Sequence, residues 1–195
     1  MAVLSLKTGT KSRSLLVGNS YFVPSSYESI ATVTVGSGGA ANVEFTSIPG
    51  TYTHLQIRGI ARSLEANTGL DVPYVRFNSD SGSNYSWHQL FGSGSSASAD
   101  AGTSTSFMRG GLITLNSEPA NIFGSLIIDI LDYANTNKYK TIRSLSGGDY
   151  NNTRGGIGLF SGSWRNTNAV TTITLQPSAA NFAQYSQFAL YGIKN

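Results

Sequence analysis

TVTVGSGGAANVEFTSIPGTYTHLQIRGIAR, residues 32–62, alternates apolar and polar side chains on either side of a turn built from glycine, serine and alanine. A Pro49-Gly50 break then introduces a third alternating run. Period-2 alternation sends successive side chains to opposite faces of a strand, and Thr, Val, Ile and Phe fill such pleated, half-buried surfaces well. The same grammar continues to the C-terminus. Strand candidates are 28–35, 43–48, 53–62, 72–78, 85–91, 106–115, 123–132, 138–145, 156–164, 170–176 and 187–193, separated by clusters of Gly, Ser, Asn and Asp. No segment holds a helical period for three turns. Short strands at this spacing predict an all-β fold, an antiparallel β-sandwich of jelly-roll type over residues 27–195.

The alternation also predicts faces. In THLQIRGIAR, Leu55, Ile57 and Ile60 all face inward only if Gly59 marks a bulge. Val170, Ile173 and Leu175 require a similar slip. GSLIIDILDY is almost continuously apolar, as expected of a central strand covered on both faces, with Asp129 at a sheet edge or paired with an arginine. GSGSSASADAGTSTS, residues 92–106, carries little side-chain volume and reads as an exposed loop.

Residues 1–26 lack strand alternation beyond SLLVG and read as an extended N-terminal arm. Twenty extended residues span roughly 65 Å, whereas a compact globule of this length has a radius of gyration of about 16 Å. The arm also holds the charge asymmetry. Among 195 residues there are 13 basic and 10 acidic side chains. Lys7, Lys11 and Arg13 are the three basic residues of the first twenty positions, which contain no acid, so the remainder balances at ten of each. Three charges make no nucleic-acid footprint, which needs a basic stripe contacting many phosphates. They fit a solvated basic tail or an anchor that lies on a partner, and the arm is expected to be the attachment device. Cysteine is absent, which excludes disulfides and thiolate chemistry. No apolar run is long enough for a membrane-spanning helix.

Candidate chemistry is sparse. Asp129 and Asp132 are three apart, which places them on opposite faces of a strand rather than together as an acid/base pair. His54 and His88 are the only histidines, each beside aromatic residues, and no G-x-S-x-G elbow is present. The Asp80 and Asp149 loops have the composition of cation-binding turns but lack the regular ligand series of a calcium loop. No cofactor is expected and the chain reads as a non-enzyme. Tyr150 and Asn151, in a turn, are the surface candidates for contact with a glycan, since aromatic faces beside amides bind sugars.

The blocks SYESIATVTVGSGGAANVEFTSIPGTYTHLQIRGIARS (26–63), VRFNSDSGSNYSWHQL (75–90), IIDILDYANTNKYKTIRSL (127–145) and YSQFALYGIKN (185–195) resemble a module of tailed-phage virion proteins. The module is associated especially with phages of aquatic cyanobacteria. It occurs both as small structural proteins and as the terminal portion of fibre-like proteins. The resemblance covers residues 14–194 and brings no catalytic residues with it. It implies a virion location, other virion proteins as partners, and a structural role. Two readings follow: a tail appendage, fibre- or adhesin-like and facing a host surface glycan, or a capsid decoration protein clamping the head shell. A glycan-degrading appendage enzyme is the third. Open sandwiches leave edges to be covered, so a homo-oligomer, a trimer, is expected.

Overall fold

A computed structural model describes residues 15–17, 20–22, 26–67, 69–151 and 154–194. These form strands β1 (Leu15–Val17), β2 (Ser20–Phe22), β3 (Tyr27–Thr34), β4 (Val43–Phe45), β5 (His54–Ala61), β6 (Leu70–Asp71), β7 (Tyr74–Phe77) and β8 (Tyr85–Gly92). They continue with β9 (Ala97–Thr105), β10 (Met108–Arg109), β11 (Ile113–Thr114), β12 (Gly124–Leu131), β13 (Lys140–Gly148), β14 (Gly156–Trp164), β15 (Ile173–Gln176) and β16 (Gln187–Ile193). The fold is all-β, and the strands of each sheet pair antiparallel.

Eight strands form the larger sheet, in the order β3-β16-β5-β12-β13-β14-β8-β9, and four form the smaller, β10-β7-β15-β4. The turn after β3 is therefore no hairpin: β3 and β4 lie in different sheets, and β5 returns to the first. Gly39 makes the crossing feasible. Its φ is +70°, and a Cβ there would meet the carbonyl oxygen of Phe182 at 2.8 Å.

The core lies between the sheets. Leu55 and Ile57 of β5, Ile128 and Ile130 of β12, Ile142 of β13 and Trp164 of β14 meet Val43 and Phe45 of β4, Val75 and Phe77 of β7, and Ile173 and Leu175 of β15 in one cluster. Each such side chain, once buried, stabilises the fold by about 1.5–3 kcal/mol relative to exposure. Between the hydrophobic positions, buried polar groups are tied to backbone. The Arg62 guanidinium donates to the carbonyl oxygens of Asn116, Glu118, Pro119 and Ile122 at 2.6–2.9 Å and so holds the loop between β11 and β12.

Several expectations change. Gly59 marks no bulge: β5 pairs residue for residue with β12 and β16. Leu55, Ile57 and Ala61 face the core while Ile60 faces out, 48% exposed. Gly59 leaves room for Phe188, whose ring carbon lies 2.7 Å from where a Cβ would sit. The irregularity falls between Leu190 and Tyr191, where β16 meets β3. Strand β15 starts only at Ile173, and Val170 is buried from the preceding loop, its N–H on Tyr133 O at 2.9 Å. Strand β12 is covered on one face only, alternating buried and exposed along its length. Residues 97–105, expected as loop, are the edge strand β9. Within residues 1–26, β1 pairs with β2, and Lys7, Lys11 and Arg13 lie outside the described residues.

Candidate functional site

Cross-strand register turns single exposed side chains into a row. Ile127 of β12 lies opposite Leu145 of β13, Leu145 opposite Leu159 of β14, and Leu159 opposite Leu90 of β8. Residues directly opposite share a face, and strands about 4.8 Å apart make the row roughly 14 Å long. These four side chains are 41–51% exposed on the side of the large sheet away from the core. In the next row Ile60 and Ile157 are likewise exposed, separated by Ser125 and Gly147.

A polar row flanks the aliphatic one. Gln56, Asp129, Arg143, Ser161 and His88 follow each other across the same strands. Asp129 accepts from Gln56 Nε2 at 2.8 Å and from Arg143 at 2.9 Å. Gln56 Oε1 in turn accepts from Arg58 Nε at 2.9 Å. The Arg58 guanidinium also lies 5.6 and 5.5 Å from the rings of Tyr27 and Tyr191, within cation–π range.

Beside the aliphatic row, which lines it with Ile127 and Leu145, the sheet surface opens into a trough of about 1190 Å³. Ser125, Gly147 and Gly156 lie low in it, Leu145 and Ile157 supply its apolar side, and the loops carrying Ser93 and Asp149 bound it. Ser125 and Gly147, outward on adjacent strands, make the furrow, because a larger side chain on either would fill it.

The sequence-level candidates fall in different places. Tyr150 is no surface residue: its ring is 1% exposed and its hydroxyl donates to Gly69 O at 2.6 Å. Burial holds its phenol well above the ordinary tyrosine range. The turn expectation placed it outside because Asp149 and Asn151 on either side are turn formers. Asn151 is exposed, with φ +54° and its N–H on Asp149 Oδ1 at 2.8 Å. It stands next to the trough loop without Tyr150 beside it at the surface. Asp129 is paired, as expected, with an arginine. Asp132 accepts from Lys138 Nζ at 2.6 Å, and its N–H donates to His54 Nδ1 at 3.0 Å, which leaves the ring proton of His54 on Nε2. His88 is exposed in the polar row, far in sequence and register from His54.

The carboxylates share a common fate. Each of the ten accepts at least one hydrogen bond from within the chain. Asp80 is the fullest case: Oδ1 accepts from Gly82 N at 2.8 Å, Oδ2 from Asn84 at 2.9 Å and from Trp164 Nε1 at 2.7 Å. N–H donors thus surround the group that composition marked as a cation ligand. Among the described residues no three His, Asp or Glu side chains converge on a metal-sized site.

The aliphatic row escaped the sequence reading. Its signal lies in β14, GIGLFSGSW, where the outward Ile157 and Leu159 alternate with inward Gly158, Phe160 and Gly162. Two outward aliphatic residues on either side of an inward glycine point to a second covered face. No protein-family model, curated protein or solved structure matches this chain.

Proposed function

We propose that the chain is a non-enzymatic structural component of a tailed-phage particle, a tail appendage module held in place by packing and by its N-terminal arm. The carrying observation is the half-exposed Ile127–Leu145–Leu159–Leu90 row on an otherwise well-packed sandwich. Contiguous aliphatic surface on a small domain calls for a partner. The engagement of all ten carboxylates in internal hydrogen bonds supports a structural rather than a catalytic design, and the resemblance of the sequence blocks to virion modules supplies the setting. The trough and its bounding loops, with Asn151 at hand, are the surface through which such a module meets a host glycan.

A capsid decoration role uses the same features, and the arm would then clamp the shell. Copy number separates the two. Quantitative gel densitometry of purified particles against the major capsid protein should give a low copy number for a tail appendage. A number comparable with that of the capsid protein assigns the chain to the head shell, and absence from the particle removes both readings.

A further inference from the structure

The trough, at about 1190 Å³, exceeds the roughly 300–1,000 Å³ of a usual small-molecule site, so it has room for a chain of several rings. Ile127, Leu145 and Ile157 give it aliphatic walls, while Ser125 and Gly147 form its floor. An alkyl chain lying there would keep one side in water. A sugar ring has apolar C–H faces for the walls and hydroxyls for the floor and the solvent. The Ser125 hydroxyl, exposed and without a partner among the described residues, is available to such a hydroxyl.

Charge narrows the class of sugar. Arg58 is the cation among the lining residues and Asp149 the acid. Arg58 lies opposite Ile127, and Ile127 opposite Leu145, with Asp149 four positions further along the chain. Two strand spacings across and four residues along separate the two backbones by roughly 16 Å, beyond a Debye length of about 8 Å at physiological salt. Asp149 therefore does not neutralise Arg58. Asp129, the acid of the flanking polar row, is committed to Arg143 at 2.9 Å and Gln56 at 2.8 Å. The Arg58 guanidinium forms no ion pair among the described residues, yet it is held. Its Nε donates to Gln56 Oε1 at 2.9 Å, and it lies 5.6 and 5.5 Å from the Tyr27 and Tyr191 ring centroids. Gln56 positions it, because the Gln56 Nε2 is tied to Asp129 and so fixes which end of the amide faces Arg58. Nη1 and Nη2 have no acceptor among the described residues. A planar carboxylate fills such an open fork with two parallel charge-assisted hydrogen bonds.

We propose that the trough takes a glycan built from uronic acids. A ring carboxylate is received by Arg58 Nη1 and Nη2 at the margin, and the neighbouring sugars lie along the Ile127–Leu145 wall over Ser125. The inference rests on the reading of the trough as a glycan contact and names the sugar class that contact selects.

The test is isothermal titration calorimetry of the full chain with hexagalacturonate and an oligomannuronate, each compared with its methyl ester, which keeps the sugar backbone and removes the charge. The wild type should bind at least one acid form about tenfold or more tighter than its ester. Arg58→Met should remove that preference by weakening the acid form alone, and Arg58→Lys should restore part of it. Arg165→Met, which removes an exposed cation just past the other end of β14, should leave it intact. Ser125→Trp fills the furrow and should abolish binding of acid and ester together. Thermal melts check that each variant is folded, and a general loss of structure would weaken both forms rather than change their ratio. Equal affinity for acid and ester in the wild type, with both lost in Ser125→Trp, would overturn the acidic class and leave the trough as a glycan contact. Binding that survives Ser125→Trp, a preference kept by Arg58→Met, or tighter binding of decanoate or a sulfated dextran oligomer than of either uronate would each overturn the proposal. No binding of any glycan would remove the glycan contact as well, while particle copy number, read from a different sample, tests the virion role alone.

Discussion

The Nζ of Lys140 donates to the carbonyl oxygen of Thr167 at 3.0 Å, tying the start of β13 to the loop that follows β14. The same ammonium donates to Asn135 O at 2.6 Å and Lys138 O at 2.8 Å. Lys140 is fully buried, and desolvation lowers its pKa below the ordinary lysine value, with Asp132 opposing the shift. Three carbonyls satisfied by one cation form a staple between two loops. Lys140→Met preserves the length and apolar stem of the side chain but leaves those carbonyls without a donor. It should destabilise the protein by about 3 kcal/mol, read as a lower midpoint in urea with an unchanged slope. A loss below about 1 kcal/mol would mean that water replaces the ammonium.

Trp87 and Gly102 predict a steric effect at the sheet edge. They face each other across β8 and β9, and a Cβ on Gly102 would lie 2.5 Å from the indole nitrogen. Gly102 has no positive φ, so alanine is strained only by contact. The Arg109 guanidinium also lies 3.6 Å from the centroid of the same indole. Because the Cβ meets a ring that already carries the Arg109 guanidinium, Gly102→Ala should cost about 1–3 kcal/mol, and Gly102→Ala combined with Trp87→Phe should recover part of it. Thermal melts of the single and double variants measure the coupling.

Sheet class and most strands were legible because alternation and turn chemistry act locally. The alternation of residues 156–164 carries both ends of β14, and Asp129, a lone acid in an apolar run, calls for a partner or a sheet edge and has Arg143. The failures share a cause. GSLIIDILDY shows that both faces of β12 are apolar but not that the same chain covers both, since burial by a second molecule leaves the same pattern. Residues 97–105 hide a strand because Ala, Ser, Asp, Gly and Thr give no apolar period. That strand is held by its backbone pairing to β8 and by the room that Gly102 gives Trp87. Gly59 was assigned to a bulge because Ile60 was assumed to face inward, whereas the glycine is the inward residue and makes space for Phe188. Tyr150 was drawn outward by its neighbours, although only the fold brings Gly69 O within reach of its hydroxyl.

Acid sensitivity follows from Asp80 and Asp132. At Asp80 burial raises the pKa, but the hydrogen bonds from Trp164, Asn84 and Gly82 together outweigh it and hold the carboxyl below the ordinary value of 3.8. At Asp132 the hydrogen bond from Lys138 is the main lowering cause, helped by the charges of Lys138 and Lys140. Below the ordinary value the unfolded chain therefore binds more protons than the native one. The stabilisation is complete above pH 3.8 and disappears as the pH falls through the lower native values. Urea midpoints measured from about pH 5 down to about pH 2 should fall steadily, and Asp80→Asn should flatten that decline while lowering the plateau. An unchanged slope in the variant would show that Asp80 is not held in its charged form by the fold.

Hydrolysis of a host-envelope polysaccharide should not occur. Glycoside cleavage needs two carboxyl groups about 5–9.5 Å apart across the scissile bond, one of them free to give a proton. The open trough is the natural place for a glycan, and Asp149 is the carboxylate among its lining residues. Its Oδ1 already accepts the N–H of Asn151 in a tight turn. Asp129, in the neighbouring polar row, is engaged by Gln56 and Arg143 on both oxygens. Incubation of the protein with purified envelope polysaccharide, followed by chromatography, should therefore release no oligosaccharides, and any affinity should appear as binding alone. Specific products that vanish in Asp149→Asn would replace the structural reading with a catalytic one. Retained binding without products in both wild type and variant would instead leave the trough as a receptor contact.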